Sequence, residues 1–175
     1  MIIEISDYYI KKCEKFADDQ LKTSSSRTYM KRGAPSQEKI RQDIITGRKA
    51  EIGAYLLLKE KYSDITKPDF KIYKGRKKSF AADLTTKSEN YHVKSMSKSQ
   101  ADKYGLSWML QKTDPLVVKP APNDFLVPCL VDGNTVDIKG IFLMTEIKMK
   151  KLIKQPKLEW LRKNKVTIYW EDIKL

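Results

Sequence analysis

The feature that most constrains the fold is a long amphipathic segment followed by a series of short strand-like runs. From about Gln37 to Lys61, apolar side chains recur at steps of three and four residues, the spacing that gives a helix one apolar face. Pro35 and Ser36 stand just before this segment and are typical of a helix start. A helix with one apolar face must bury it, so the sequence predicts a second layer packed against it.

A shorter amphipathic helix is predicted from about Asp7 to Leu21, and residues 22–35 are polar, basic and without either periodicity. Further along the chain we predict strands over 69–73, 79–85, 91–96, 124–131, 135–144 and 166–170. Helices are predicted over 97–112, 146–154 and 158–162, and Asp132-Gly133-Asn134 is a hairpin signal. This order predicts a mixed α/β or α+β sandwich.

A chain of 175 residues fits one domain with a single sizeable core. Within that domain we distinguish an N-terminal helix and basic arm over 1–35, a core over 36–145, and a basic C-terminal segment over 146–175. The C-terminal segment is predicted to contain a helix and the final strand.

The charge balance indicates a polyanionic partner. Thirty-five Lys and Arg against 22 Asp and Glu leave a net charge of +13, which favours nucleic acid held by phosphate contacts. A membrane partner is not expected, because the chain has no long apolar run. We predict nucleic-acid contacts at Arg27, Tyr29, Lys31, Arg32, Arg76, Lys77, Lys78, Lys150 and Lys151. Trp160, Tyr169 and Trp170 are expected in the core rather than as platforms for bases.

Cysteine and histidine usage excludes several classes of protein. Cys13 and Cys129 lie far apart, and with a single histidine they cannot form a zinc ribbon or finger. No disulfide framework or export signal is expected, so we predict a reducing, cytoplasmic setting. A Rossmann-type methyltransferase or nucleotidase is disfavoured because the chain has no Gly-rich phosphate loop.

Three residues suggest hydrolysis of phosphodiester bonds. Asp83 lies near the end of the apolar run 80–84, and the next predicted strand carries His92 and Lys94 on one face, because strand side chains alternate. If the two strands form a hairpin, these side chains converge. A carboxylate to hold a metal ion and a lysine beside the scissile phosphate are the groups that this reaction needs. Glu51, within the apolar stripe of the long helix, could supply a further carboxylate.

The order Glu51, Asp83 and then His92-Val93-Lys94 resembles the PD-(D/E)XK superfamily of restriction-type endonucleases. The resemblance extends from Gln37 to about Met144. It implies a restriction-endonuclease-like mixed β-sheet core flanked by helices. It further implies a Mg²⁺-dependent DNA endonuclease, with Mn²⁺ as a substitute, in a bacterial or phage-infected cell, and it suggests a homodimer that cuts both strands.

Carried over residue by residue, the resemblance makes Asp83 the central metal ligand and Lys94 the group that orients the attacking water. The carbonyl of Val93 is then an additional metal ligand, and Glu51 matches the acid of the family's helix. The chain departs from the pattern in lacking a proline before Asp83 and in having His92 where the family has Glu or Asp. Imidazole can bind a metal ion or hydrogen-bond a metal-bound water.

Gln111 is expected to add a polar group to this catalytic set from the second predicted helix. The same residues also have structural interpretations: Asp83 as a turn cap, Lys94 as a solvent-facing lysine, and Glu51 paired with Arg48 or Lys49. Two other functions stay open, a catalytically inactive nucleic-acid-binding protein of nuclease-like fold and a nuclease acting on branched DNA or RNA. Restriction, homing, repair and phage nucleases would all be compatible with this sequence.

Overall fold

The computed structural model describes residues 1–23, 36–73 and 80–174. The two N-terminal helices have the predicted bounds: α1 is Asp7–Leu21 and α2 is Gln37–Lys61. Ser36 caps α2, because its side-chain oxygen accepts a hydrogen bond of 3.1 Å from the amide of Lys39.

The remaining elements are short. The strands are β1 (Ile2–Glu4), β2 (Leu84–Thr85), β3 (Asn90–Ser97), β4 (Ser107–Gln111), β5 (Asp124–Asp132), β6 (Thr135–Ile138), β7 (Phe142–Leu143) and β8 (Lys165–Tyr169). The helices are α3 (Lys98–Tyr104), α4 (Pro115–Val118), α5 (Met144–Met149) and α6 (Trp170–Ile173), with a 3-10 turn at Glu159–Leu161. The predicted mixed α/β class is confirmed.

The main sheet is mixed and has six strands in the order β1-β6-β5-β3-β2, with β7 also paired to β5. Its centre is the parallel pair of β3 and β5, in register from Asn90 opposite Asp124 to Ser97 opposite Val131. All other pairs in this sheet are antiparallel. A separate two-stranded antiparallel ribbon is formed by β4 and β8.

The two faces of the main sheet carry different apolar clusters. Tyr91 and Val93 of β3 belong to the cluster that includes α1 and α2. Leu126 of β5 belongs to a second cluster with Leu110 and Ile168 of the β4–β8 ribbon. Because side chains alternate along a strand, His92 and Lys94 extend to the face opposite Tyr91 and Val93, the ribbon side.

The predicted three-strand meander is wrong within the described residues. Residues 69–73 are not a strand, because Asp69 accepts a hydrogen bond from the Lys71 amide at 2.8 Å and from the Tyr73 hydroxyl at 2.6 Å. Such local side-chain bonds compete with strand pairing. The run predicted over 79–85 is a strand only at Leu84–Thr85, and position 79 lies outside the described residues. A β2–β3 hairpin takes the meander's place.

The prediction of a second helix over 97–112 is correct for its first turns and wrong for the rest of that range. The helix ends at Tyr104, and Gly105 follows with a φ of +78°, a conformation that glycine adopts without steric cost. The chain then becomes β4, in which Trp108 and Leu110 are buried and Met109 is 49% exposed. Gln111 therefore lies on a strand, not on a helix.

The hairpin at Asp132-Gly133-Asn134 is confirmed and joins β5 to β6. The strand predicted over 135–144 is divided into β6 and β7, and the basic helix is shorter than predicted, ending at Met149. The expectation for Trp160 is wrong, since its side chain is 73% exposed, whereas Tyr169 is buried as expected.

Both cysteines are buried free thiols. Burial raises the pKa of Cys13 to about 11, and it raises the pKa of the Cys129 thiol as well. No helix in the described ranges is long and apolar enough to cross a bilayer.

Candidate active site

A cavity of about 210 Å³ lies between β3 and the β4–β8 ribbon. Its polar walls consist of two carboxylates, two lysines, the histidine and one amide: Asp83, Asp114, Lys94, Lys165, His92 and Gln111. The structure thus places four of the sequence-predicted residues, Asp83, His92, Lys94 and Gln111, around one space. Asp114 and Lys165 are further lining residues that were not predicted from the sequence.

Asp83 is held against β3 by two hydrogen bonds. Its backbone amide donates to the carbonyl of Tyr91 at 3.0 Å, and its Oδ2 accepts from the amide of Val93 at 2.8 Å. The carboxylate thereby occupies the place of a strand carbonyl just before β2 begins at Leu84. The amide and carbonyl of one strand residue point to the same side, so the carbonyl of Val93 lies on the edge of β3 that Asp83 covers.

His92 lies beside a carboxylate that no local sequence pattern indicates. Its Nε2 lies 3.5 Å from Oδ1 of Asp124, and the two side chains are only 9% and 13% exposed. Asp124 is itself fixed, because Oδ1 accepts from Asn90 Nδ2 at 3.0 Å and Oδ2 accepts from the amide of Ala121 at 2.7 Å. Only the parallel register of β3 and β5, which sets Asn90 opposite Asp124, brings this acid to the histidine.

Nδ1 of His92 is the nitrogen left for a ligand. Among the described residues, every fully buried side-chain nitrogen or oxygen has a hydrogen-bond partner. Neither ring nitrogen of His92 makes a hydrogen bond among these residues, so both keep some exposure. Nε2 is the one that faces Asp124, which leaves Nδ1. Because His92 lines the cavity, this nitrogen is available to a molecule bound there.

Two lysines lie on facing walls of the cavity. Lys94 extends from β3, and within the described ranges it forms no salt bridge or side-chain hydrogen bond. Lys165 begins β8 and is paired across the ribbon with Gln111, so these two residues are neighbours on the opposite wall. The two lysines therefore place positive charge on both walls, beside the carboxylates of Asp83 and Asp114.

Glu51 does not line the cavity, although its charge is coupled to the site. The carboxylate forms a salt bridge with Arg48, and its side chain is 14% exposed. Burial raises the pKa of Glu51 to about 7; the negative charge of Asp83 raises it further, while Arg48 and Lys94 oppose the shift. Pairing with Arg48 is one of the structural interpretations expected for this residue.

The residues present fit a magnesium ion held by few protein ligands. Among the described residues, no group of three or more His, Cys, Asp or Glu side chains is placed to hold a metal ion. Mg²⁺ commonly takes one or two carboxylates and completes its shell with water and substrate phosphate. Asp83, whose Oδ1 makes no hydrogen bond among these residues, and the Val93 carbonyl beside it meet that smaller requirement.

Of the residues predicted to contact nucleic acid, only Lys150 and Lys151 belong to the part of the chain that the structure describes. Arg27, Tyr29, Lys31 and Arg32 lie outside the described residues, as do Arg76, Lys77 and Lys78. Lys150 and Lys151 follow α5 and are exposed.

Comparisons with protein-family models, with curated protein sequences and with solved structures find no significant match for this chain. A functional proposal must therefore come from the residues themselves and from their geometry.

Proposed function

We propose that this chain is a metal-dependent DNA endonuclease with a restriction-endonuclease-like core, and that it hydrolyses phosphodiester bonds in the cavity between β3 and the β4–β8 ribbon. One observation carries the proposal: Asp83, His92 and Lys94 line a single cavity of about 210 Å³ in a chain with a net charge of +13. A carboxylate, a base and a cation around a space open to a polyanion match the needs of phosphodiester hydrolysis.

In this proposal Asp83 and the Val93 carbonyl would hold Mg²⁺, for which Mn²⁺ can substitute. Glu51, which does not line the cavity, adds negative charge near Asp83. The bound ion supplies Lewis-acid stabilisation and a more acidic water. Lys94 orients the attacking water and offsets the negative charge that develops on the phosphoryl oxygens.

His92 and the far wall complete the arrangement. Nδ1 of His92 accepts a hydrogen bond from the attacking water, and Asp124 keeps the ring in the orientation that makes this possible. Gln111 and Lys165 contact the phosphate from the ribbon side. Lys150 and Lys151 then bind the DNA backbone farther away, together with the basic residues of the arm and of the turn before Asp83. A homodimer and a cytoplasmic setting belong to the same proposal.

The test is cleavage of supercoiled plasmid with Mg²⁺ by the wild-type chain and by D83N and K94M. Each substitution is expected to slow cleavage by about 10²- to 10³-fold, the usual effect of removing one group that stabilises a transition state. DNA affinity, measured without metal at fixed salt, should change little. Lys87→Met is the matched control, because Lys87 is an exposed lysine of the same hairpin that does not line the cavity.

Retained cutting by both D83N and K94M would contradict the proposed site. A wild-type chain that shifts plasmid DNA but never nicks it, with either Mg²⁺ or Mn²⁺, would instead identify a nucleic-acid-binding protein without catalysis. Sequencing of the product ends distinguishes a sequence-specific endonuclease, which gives discrete ends, from one that recognises DNA structure.

A further inference from the structure

The indole of Trp160 is left in water, with its side chain 73% exposed, while Trp108 is buried and Trp170 is half-buried. A tryptophan ring offers a large apolar surface whose burial usually contributes to a core or to an interface. The described structure places no ring or cation over it, so the ring's faces are open to a ligand.

The backbone on both sides of Trp160 is well fixed. The 3-10 turn is closed by hydrogen bonds from Leu161 to Leu158 at 3.1 Å and from Arg162 to Glu159 at 2.9 Å. Nε of Arg162 donates to the carbonyl of Pro156 at 2.9 Å, which ties the turn to a buried residue. Such a turn presents the ring in one place, which lowers the entropy cost of binding.

The surroundings of the ring are strongly basic. Residues 148–165 contain eight Lys and Arg and one acid, Glu159. Two of these lysines, Lys154 and Lys157, pair with Asp172 and Glu171, and Arg162 pairs with Glu159. Lys150, Lys151 and Lys163 have no ion pair within the described ranges. An apolar ring among free cations favours a ligand that has both a flat face and negative charge, and nucleotides have both.

The turn also leads directly to the cavity. The amide of Lys112 donates to the carbonyl of Asn164 at 3.1 Å, which fixes the segment after the turn to the end of β4. The next residue, Lys165, lines the cavity. Lys165 is five positions after Trp160 in the chain, so their Cα atoms are at most ~18 Å apart. A strand lying in the cavity could therefore reach the ring.

We propose that Trp160 is a stacking site for an unpaired base, on a DNA strand whose backbone continues through the basic surface to the cavity. This inference rests on the proposed nuclease function for its choice of DNA. Bases within an intact duplex already stack on their neighbours, so an exposed side chain stacks at least cost on a base that is unpaired. The substrate class is accordingly DNA with a single-stranded segment, such as a flap, a fork or a frayed end.

The test is binding of a mixed-sequence oligonucleotide of about 15 nucleotides, near the length that single-strand sites cover, compared with the blunt duplex of the same sequence. Affinity is measured by fluorescence anisotropy without divalent metal, at fixed salt, because phosphate contacts depend on ionic strength. Trp160→Ala should weaken single-strand binding by about 5- to 140-fold, the range that stacking of one base gives. Its effect on duplex binding should be less than about twofold.

Two further variants make the result specific. Trp160→Phe keeps an aromatic face and should recover most of the single-strand affinity. Tyr8→Ala is the matched control, because Tyr8 is an equally open aromatic residue, 69% exposed, on α1 and thus outside the ribbon cluster. Tyr8→Ala should leave both affinities unchanged.

Equal losses for single strand and duplex in Trp160→Ala would overturn the stacking site, as would an unchanged single-strand affinity. A wild-type dimer that dissociates on Trp160→Ala, with unchanged affinity, would assign the ring to a contact between two copies and also overturn it. Single-strand binding is measured without metal, so it does not depend on catalysis. A wild-type chain that binds as expected but does not cleave DNA would therefore contradict only the nuclease proposal. If Trp160→Ala cleaves forked DNA as fast as the wild-type chain does, only the stacking site is contradicted.

Discussion

At Gly53, two residues beyond Glu51, α2 packs tightly against the sheet. A Cβ placed at Gly53 would lie 2.9 Å from both Cβ and Cγ1 of Val136 on β6, and Val136 is fully buried. Carbon atoms at that separation repel strongly, so Gly53→Ala must push α2 away from the main sheet or distort β6. A movement of α2 would also displace Glu51 relative to Asp83.

The magnitude follows from two opposing effects. Overpacking a filled core costs about 1–3 kcal/mol, whereas replacing glycine by alanine within a helix gains at most about 1 kcal/mol. We therefore expect Gly53→Ala to lower the free energy of unfolding by about 1–2 kcal/mol. For a chain of this size that corresponds to a fall in Tm of roughly 2–8 °C.

The same helix contains its own control. A Cβ at Gly47 would meet only Ser95 Oγ at 4.0 Å, an ordinary contact, so Gly47→Ala should keep the propensity gain and be neutral or stabilising. Urea titrations of both variants measure the difference. Adding Val136→Ala to Gly53→Ala should recover part of the loss, giving a favourable coupling in the double-mutant cycle. If Gly53→Ala is as stable as Gly47→Ala, the close packing of α2 on β6 is refuted.

Three other outcomes are expected at the site. Burial raises the pKa of Glu51 to about 7 from an ordinary value of 4.5, so the folded chain binds this proton more tightly and loses stability as the pH rises from 4.5 through 7. In urea titrations across that interval Glu51→Gln should flatten the loss, and an unchanged slope would contradict the burial argument. Asp124→Asn should slow single-turnover cleavage by about 10- to 100-fold. Combined with His92→Ala it should slow cleavage little further, because Asp124 acts through the His92 ring. If the two effects multiply instead, Asp124 does not act through the ring. Asp83→Ala should lower the free energy of unfolding by about 1–3 kcal/mol, because it removes the acceptor of the Val93 amide. Asp83→Asn keeps an oxygen at that position and should be more stable than Asp83→Ala. Equal stability of the two variants would argue against this structural role of Asp83.

The helices were predictable where periodicity and termini agreed. The apolar stripe of α2, with Ser36 before it, indicated both its extent and its start, and the Asp132-Gly133-Asn134 turn identified the β5–β6 hairpin. The run around Trp108 was mispredicted because a short apolar stretch fits a strand as well as a buried helix. The missed stop signal was Gly105, which ends α3 before β4 begins.

The candidate site was predictable only as far as local geometry reaches. His92 and Lys94 share a face because strand side chains alternate, and the neighbouring Asp83 is brought in by a hairpin. Asp124 and Lys165 come from segments far along the chain, through the β3–β5 and β4–β8 pairings. No local pattern in the sequence encodes either pairing, so neither residue could have been assigned from the sequence.

The parallel pairing of β3 with β5 has a consequence for how the molecule folds. Parallel neighbours cannot be joined by a tight turn, and here the connection must pass through α3, β4 and α4 before β5 can dock. Contacts between such distant segments form late in folding, after α1 and α2 can already be helical. During refolding, therefore, the helical circular-dichroism signal should return before the proposed cleavage activity, which needs the β3–β5 pairing in place.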